Sequence, residues 1–403
     1  MNYIEGGVCA AKGFKASGVH CGIRKQTTKK DLALIVSEIP AAAAAVYTQN
    51  LVKGAPIYVT KENISDGKAM AIICNSGNAN TCNANGIEIA EQMCELTQKF
   101  TGINKKDVIV ASTGVIGQPL SIEPIAEGMD ALVKGLGDNS DDAAQAIMTT
   151  DTVNKEIAVE FEIDGKKCVI GGIAKGSGMI HPNMATMLVF VTTDVSISSA
   201  MLQKALRNDV KNSFNMISVD GDTSTNDMVC VMANGLAGNK EINDEGEDFE
   251  IFKKALNEVT VNLCRKIAGD GEGATKLLEC IVSGAKSDSE AKGAAKSVIC
   301  SSLLKAAMFG ADANWGRVLC ALGYSGENLD VNKIDVSFKS DKGEILVCKN
   351  GAGVDFSEEK AKEILLEKEI QILVDLNDGQ YSATAWGCDL TYDYVRINGD
   401  YRS

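Results

Sequence analysis

The sequence predicts an α/β protein in which strands and helices are mixed, rather than a regular succession of βαβ units. Three observations support this prediction: an apolar strand at 187–191, an amphipathic helix at 252–267, and strands that alternate with one helix between 334 and 386. A chain of 403 residues that is 45% hydrophobic is long enough for two or three domains or for one large one. We therefore expect a large globular core.

The predicted elements of the first half follow from apolar runs, β-branched residues and period-two alternation. Pro40 interrupts the first, alanine-rich strand region, and a helix is predicted at 87–96. Asp164 and Gly165 form the turn of a predicted hairpin. The strands predicted in this half lie at 31–49, 58–59, 69–74, 107–111 and 157–170.

The second half contains stronger helical patterns. The spacing of apolar residues predicts one helix at 202–210 and another at 252–267, which ends at Gly269. A further helix is predicted at 357–366. The strands predicted in this half lie at 187–191, 334–338, 345–349, 370–376 and 381–386.

Composition and charge exclude several classes of protein. The net charge of -14 repels phosphate backbones and anionic lipid surfaces, so nucleic acid and membranes are not expected partners. No apolar run approaches the roughly 20 residues of a membrane helix, and the N-terminus lacks a hydrophobic signal core, so we expect a cytoplasmic protein. The thirteen cysteines are scattered without a CxxC pair, which favours small buried hydrophobes in a reducing compartment over a metal or disulfide site.

Four polar loops each allow more than one interpretation. The loop at 75–86 is either an active-site wall or flexible surface. The motif ASTGVIG at 111–117 is either an ordinary strand-to-loop turn or a set of backbone N–H groups for an oxyanion. The loop at 220–227 lacks the glycine and glutamate of a calcium loop, which leaves capping and turn chemistry or a site wall. The motif GDGEGATK at 269–276 lacks the ending of a phosphate loop, and its acids suit a cationic ligand.

The stretch at 175–194 joins a glycine-rich turn to the apolar strand, with Thr186 at the junction. Pro182 drives its predecessor away from the helical region, so we expect irregular backbone just before Thr186. A strand buried on both faces is a rigid mount for a hydroxyl group. From the residues alone, Thr186 is either a nucleophile held in place by the strand or a structural threonine. The second alternative stays open because β-branched residues are common in sheets.

Several blocks of the sequence resemble the ornithine acetyltransferase family, the bifunctional acetyl-recycling enzymes of arginine biosynthesis. The run KGSGMIHPNMATM, which begins at Lys175, is similar to the self-cleavage and nucleophile motif of that family. Further similar blocks cover most of the chain: ASTGVIG at 111–117, IMTTDT at 147–152, DGDTSTND at 220–227, GDGEGATK at 269–276 and CDLTYDYVRINGDYRS at 388–403.

This resemblance implies a self-processing enzyme with an N-terminal threonine, built from layered mixed sheets sandwiched with helices. Cleavage between Ala185 and Thr186 would give a fragment of residues 1–185, which carries the oxyanion loop, and a fragment of residues 186–403. The second fragment would include a C-terminal α/β portion from about residue 330. The resemblance also implies that the fragments stay associated as an α2β2 heterotetramer.

The resemblance assigns roles to individual residues. Thr186 is the implied nucleophile, and Thr113 with Gly114 is the implied oxyanion pair. The implied substrate contacts are Thr149, Lys175, Thr186, Glu272, Asn398 and Ser403. The family often has threonine where this chain ends in Ser403, but the hydroxyl is kept. These roles are chemically consistent, because an N-acetylated diamino acid offers a carboxylate to Lys175 and an ammonium group to Glu272.

The implied reaction moves the acetyl group of N2-acetyl-L-ornithine to L-glutamate through an acetyl-Thr186 ester. Acetyl-CoA is a second donor if the enzyme is bifunctional, and no metal or other cofactor is expected. After cleavage, the α-amine of Thr186, with a reference pKa of about 7.7 to 8.0, can take the hydroxyl proton. Neither of the two histidines, His20 and His181, is then needed as a base, and His181 is interpreted as a polar loop residue.

Two other functions remain open at the level of sequence. An N-terminal-threonine aminopeptidase or amidohydrolase would use the same nucleophile but transfer the acyl group to water. A non-enzymatic binding protein would stay uncleaved and would not need the polar loops to converge. Cleavage of the chain distinguishes the acetyltransferase from a binding protein. Dependence of turnover on glutamate distinguishes it from the hydrolase.

Overall fold

The strands and helices alternate irregularly along the chain. The structure is a computed structural model that describes residues 1–25, 27–181 and 187–400. The strands in these ranges are β1 (Asn2–Ile4), β2 (Phe14–Val19), β3 (Leu32–Tyr47), β4 (Lys68–Asn78), β5 (Val108–Val115), β6 (Lys155–Ile163), β7 (Lys166–Lys175), β8 (Leu188–Thr193), β9 (Ile217–Ser218), β10 (Met228–Ala233), β11 (Leu277–Ala285), β12 (Asp335–Ser340), β13 (Gly343–Lys349), β14 (Ala352–Gly353), β15 (Glu369–Asp375) and β16 (Tyr381–Cys388). The α-helices are α1 (Ala55–Asn63), α2 (Gly86–Thr101), α3 (Glu123–Lys134), α4 (Ser140–Ile147), α5 (Ser199–Asp209), α6 (Glu247–Gly269), α7 (Asp288–Cys300), α8 (Ser302–Phe309), α9 (Trp315–Gly323), α10 (Glu358–Leu365) and α11 (Tyr392–Asp400).

The strands form two mixed sheets. The first has the order β1-β6-β7-β8-β10-β3-β4-β5, with β2 also paired to β3. Its β4–β5 and β8–β10 pairs are parallel. The second sheet has the order β14-β13-β12-β15-β11-β16-β9. Helix α6 contacts β6 and β7 of the first sheet and β11 and β16 of the second, so the predicted layered α/β architecture is confirmed.

Helix α6 lies between the sheets because its sequence buries residues at helical spacing. Phe252, Leu256, Val259, Leu263 and Ile267 are each 0% exposed. They pack in a core shared with strands of both sheets. Among the described residues, no helix is both long enough and apolar enough to cross a membrane.

Most predicted strands are present where the pattern placed them. Strand β8 is buried along its whole length, as its unbroken apolar sequence predicts. The β6–β7 hairpin turns through Asp164 and Gly165, with φ angles of 51° and 65°. Positive φ at both turn residues matches the right-handed twist of the paired strands. The strands and the helix predicted beyond residue 330 are confirmed as β12, β13, β15, β16 and α10.

Three local predictions are wrong. Tyr58 and Val59 lie in helix α1 and not in a strand, because Pro56 in the first turn has a backbone angle suited to a helix start. Pro40 does not interrupt β3, since a register shift between Val36 and Ala41 accommodates the proline in a continuous strand. The loop predicted to begin at residue 75 begins later, because β4 continues to Asn78.

Candidate active site

Six residues that the resemblance assigned to the site line one pocket of about 150 Å³. They come from distant parts of the chain: Thr113, Gly114, Thr149, Lys175, Glu272 and Asn398. Other lining residues include Ala79 of the loop at 75–86 and Ser224, Thr225 and Asn226 of the loop at 220–227. Both loops therefore form walls of this pocket. Ala185, Thr186 and Ser403 lie outside the described residues.

Three strand ends meet beside the pocket. Lys175, the last residue of β7, pairs with Leu188, the first residue of β8. Leu188 also pairs with Met228, the first residue of β10, whose N–H donates to the carbonyl of Met187 at 2.9 Å. The two chain segments that flank residues 182–186 are thus fixed in neighbouring strands of the first sheet.

Thr113 and Gly114 are part of β5 rather than of a loop beyond it. Gly114 has a φ of 131°, and a Cβ there would lie 2.3 Å from the carbonyl carbon of Gly77. Only glycine fits this conformation and this close approach of two strands. The ASTGVIG motif therefore continues the strand to the pocket, and its glycine is required by the packing of β4 against β5.

Asn226 fixes the position of Ser112, the residue that precedes Thr113. Its side-chain nitrogen donates to the carbonyls of Ser112, at 2.9 Å, and Ala79, at 2.5 Å. Its side-chain oxygen accepts from the hydroxyls of Thr81 and Thr225. A primary amide that uses both its donors and its acceptor in this way holds three segments in one geometry.

The opposite charges of the site come from the end of β7 and from the 269–276 loop. Glu272 is 8% exposed, and one of its carboxylate oxygens accepts from the side-chain nitrogen of Asn398 at 2.6 Å. A Cβ at Gly178 would lie 2.4 Å from the Glu272 carboxyl group, so the 175–178 turn packs directly against it. Lys175 is also 8% exposed and lines the same pocket.

Asp220 shapes the rim of the pocket. Its carboxylate accepts from the backbone N–H groups of Met179 and Ile180, at 2.7 and 2.9 Å, and from the Tyr394 hydroxyl at 3.2 Å. Burial, with the nearby negative charge of Asp220, raises the pKa of Tyr394, which keeps its hydroxyl protonated as a donor. The predicted capping chemistry of the 220–227 loop is therefore present together with its role as a wall.

A buried ion triad adjoins the pocket. The Lys155 ammonium contacts Asp151, at 2.7 Å, and Asp270, and the side chain of Lys155 is fully buried. Burial by itself would raise the pKa of Asp151, but the positive charges of Lys175 and Lys155 outweigh it and hold that pKa below its usual range. Asp151 is therefore a carboxylate at neutral pH.

His181 contacts a separate set of polar groups. Its Nδ1 lies 3.1 Å from the Ser218 hydroxyl and 3.5 Å from the Cys300 sulfur. Burial, aided by the charge of Lys296, lowers the pKa of His181 to about 4, so the ring is neutral at pH 7. These contacts agree with its interpretation as a polar loop residue.

Sequence reasoning missed Asn226 and the Asp151–Lys155–Asp270 triad as parts of the site. Asn226 lies in the 220–227 loop, for which the sequence allows a site wall, but the resemblance assigns Asn226 no role. Asp151 and Asp270 each stand within two residues of a predicted contact, Thr149 and Glu272. Their closeness in sequence to these contacts is the feature that could have identified them. Lys155 stands at the start of a strand and has no such feature.

The chain is similar to a set of arginine biosynthesis proteins. A sequence model of the ArgJ family matches residues 15–403. The chain is 52% identical to the arginine biosynthesis bifunctional protein ArgJ of Caldanaerobacter subterraneus subsp. tengcongensis, over 100% of both chains. It is 54% identical to the arginine biosynthesis bifunctional protein ArgJ 1 of Clostridium acetobutylicum, over 97% of this chain and 96% of the relative. The crystal structure of the arginine biosynthesis bifunctional protein ArgJ of Bacillus halodurans, 50% identical, matches 54% of this chain and 100% of its own with a TM-score of 0.51.

Proposed function

Because the chain belongs to the ArgJ family, it is an acyltransferase of arginine biosynthesis, and we propose that it transfers acetyl from N2-acetyl-L-ornithine to L-glutamate through Thr186. The resemblance to the ornithine acetyltransferases is thereby confirmed, and the non-enzymatic alternative is set aside. We also propose the roles of individual residues as nucleophile, oxyanion pair and substrate contacts.

One observation supports this substrate above others: Lys175 and Glu272 line the same small pocket as Thr113 and Gly114. N-acetylornithine carries a carboxylate and a side-chain ammonium group, with the acetyl group on the α-nitrogen. A cation and an anion in one pocket can bind the two ends of such a molecule. The acetyl carbonyl is then presented to the oxyanion pair.

In the first half-reaction, the Thr186 hydroxyl oxygen attacks the acetyl carbonyl carbon. The α-amine released by cleavage takes the hydroxyl proton, and the Thr113 hydroxyl and Gly114 N–H stabilise the negative charge on the carbonyl oxygen. The bond from this carbon to the ornithine nitrogen then breaks. The proton passes to that nitrogen, which leaves as the free amine of ornithine.

In the second half-reaction, glutamate takes the place of ornithine. Its uncharged α-amine attacks the acetyl ester, the Thr186 oxygen leaves and regains a proton, and N-acetylglutamate departs. Glutamate has no side-chain cation, but both substrates have an α-carboxylate. We expect Lys175 to bind the α-carboxylate of N-acetylornithine in the first half-reaction and that of glutamate in the second. No metal or organic cofactor is needed for these steps, and acetyl-CoA would serve as a second donor of acetyl to Thr186.

The assembly follows from the same proposal. We expect fragments of residues 1–185 and 186–403 that remain associated, as two copies of each, in the cytoplasm. The net charge of -14 disfavours nucleic acid and anionic membranes as partners.

The glutamate dependence of ornithine release tests the proposed function against hydrolysis. With N-acetylornithine alone, ornithine release should stop at about one per active site, since the ester accumulates. Adding glutamate should restore continuous turnover with equal amounts of ornithine and N-acetylglutamate. Continuous release of acetate without glutamate would instead identify an N-terminal-threonine amidohydrolase.

We expect Thr113→Ala to lower kcat by roughly 10- to 1000-fold with little change in KM for N-acetylornithine, as loss of one oxyanion donor does. Thr113→Ser, which keeps the hydroxyl, is the matched control and should retain most of the activity. Steady-state kinetics of the purified variants measure both. An unaltered kcat in Thr113→Ala would remove this residue from the oxyanion site.

A further inference from the structure

The Asp151–Lys155–Asp270 triad is connected on both sides to residues of the substrate pocket. Lys155 stands at the start of β6, opposite Ala174, and its side chain is fully buried. Its ammonium group donates to Asp151 Oδ1 and to Asp270 Oδ2. Asp151 then contacts the pocket segments through its carboxylate, whereas Asp270 reaches them through its backbone carbonyl.

Asp151 holds the segment that binds the carboxylate end in the proposed reaction. One of its oxygens accepts from the backbone N–H of Thr149 at 3.0 Å, and the other accepts from that of Gly176 at 2.7 Å. Gly176 directly follows Lys175. Asp151 therefore joins Thr149 to the turn that carries Lys175.

Asp270 is linked to the segment that binds the ammonium end through Ser177. Its carboxylate accepts from the backbone N–H of Thr152, and its carbonyl accepts from the Ser177 hydroxyl at 2.7 Å. The carbonyl of Ser177 in turn accepts from the N–H of Glu272 at 3.1 Å. A continuous series of hydrogen bonds thus leads from Lys155 to the backbone of Glu272.

We propose that Lys155 is a positioning residue that sets the separation between Lys175 and Glu272, and so the preference of the pocket for a substrate with a side-chain ammonium group. This inference rests on the proposed function, in which these two residues bind the ends of N-acetylornithine. Lys155 touches neither end itself. It acts through Asp151 and Asp270, whose positions its single ammonium group fixes relative to each other.

A role in stability alone is a weaker explanation of the triad. Taking three charges out of water carries a large desolvation penalty, and well-packed apolar residues in such positions are often as stable or more stable. An ion triad provides directional hydrogen bonds at fixed distances, which apolar packing does not provide. Here the triad is linked to both segments that carry the charges of the pocket, the end of β7 and the 269–276 loop.

The test uses the double variant Lys155→Met with Asp270→Asn, which removes one positive and one negative charge and so leaves the buried net charge unchanged. Its kcat/KM is measured with N-acetylornithine and with N-acetylnorvaline, which has the same carbon skeleton without the amine. We expect the value for N-acetylornithine to fall by about 10- to 100-fold, the scale expected for misplacement by about 1 Å. The preference for N-acetylornithine over N-acetylnorvaline should shrink by about tenfold.

Lys296→Met is the matched control. Lys296 lies in α7, and its ammonium group donates to the carbonyls of Asn215, at 2.6 Å, and Ile217, at 2.9 Å, so this variant also loses an internal lysine but leaves the triad and the 269–276 loop intact. It should lower thermal stability while the preference between the two substrates stays the same. A purely structural role for Lys155 predicts this same pattern for the double variant.

A folded double variant with an unchanged substrate preference would overturn the inference. If the double variant does not fold, Asp270→Asn alone is measured in the same way, because it keeps the pair of Lys155 with Asp151. Wild-type protein that shows no preference for N-acetylornithine would contradict the proposed function instead, and the inference would fail with it.

Discussion

Thr186→Ala should abolish both self-cleavage and acetyl transfer. The wild-type protein should appear in an intact-mass spectrum as fragments of residues 1–185 and 186–403, whereas the variant should remain a single chain of 403 residues. The variant lacks the hydroxyl group that we propose attacks the acetyl carbon, and without cleavage it lacks the α-amine that takes the proton. Ornithine release from N-acetylornithine should fall below detection.

Thr193→Ala is the control that separates a nucleophile from a structural threonine. Thr193 is the last residue of β8 and is fully buried, and its hydroxyl donates to the carbonyl of Val169 at 2.7 Å. Loss of that hydrogen bond should lower stability by about 1 kcal/mol, and cleavage should still occur. Wild-type protein that transfers acetyl while remaining uncut would contradict the mechanism based on an N-terminal amine.

Glu272→Gln should lower kcat/KM for N-acetylornithine by about 30- to 4000-fold. This range corresponds to the roughly 2 to 5 kcal/mol lost when one partner of a desolvated charge pair is removed. The substitution keeps the shape of the side chain, and its amide oxygen can still accept from Asn398. N-acetylnorvaline, which lacks the cation, should be affected far less, and steady-state kinetics with both substrates measure the difference.

Glu290→Gln provides the comparison for a carboxylate with a structural role. Glu290 is 6% exposed and accepts from the N–H of Lys286 at 2.6 Å, near the start of α7. Its substitution should lower the melting temperature and affect both substrates equally. Equal losses for the two substrates in Glu272→Gln would show that Glu272 braces its loop and does not bind the ammonium group.

The sequence could predict elements whose pattern is strong on its own. The β6–β7 hairpin alternates apolar and polar residues, β8 is an unbroken apolar run, and α6 has apolar residues at helical spacing, and the structure agrees with all three patterns. Tyr58 and Val59 were placed wrongly because a short apolar run fits a strand or a helix equally well, and Pro56 decides between them. Helices α7 to α9 were not predicted at all, although α7 has the regular signal of a serine cap at Ser287.

The residues of the site also divide into those that the sequence identifies and those that only the structure identifies. Thr113, Gly114, Thr149, Lys175 and Glu272 were singled out through motifs, and the structure brings them together from separate elements. Their spacing in the chain gives no distance between Lys175 and Glu272, because that distance depends on how β7 and the 269–276 loop meet. Asn226 binds backbone carbonyls of other segments and Lys155 binds the carboxylate of Asp270, and such contacts are visible only in three dimensions.

The strand order of the first sheet has a consequence for the proposed cut between residues 185 and 186. Strands β8 and β10 come from the second piece, yet they lie between β7 and β3 of the first. Neither piece can complete this sheet alone, since each would expose unpaired edges. Assembly of the sheet must therefore come before the cut, while the pieces are one chain. Refolding of cut protein requires two molecules to meet, so its rate depends on concentration, whereas folding of the precursor does not.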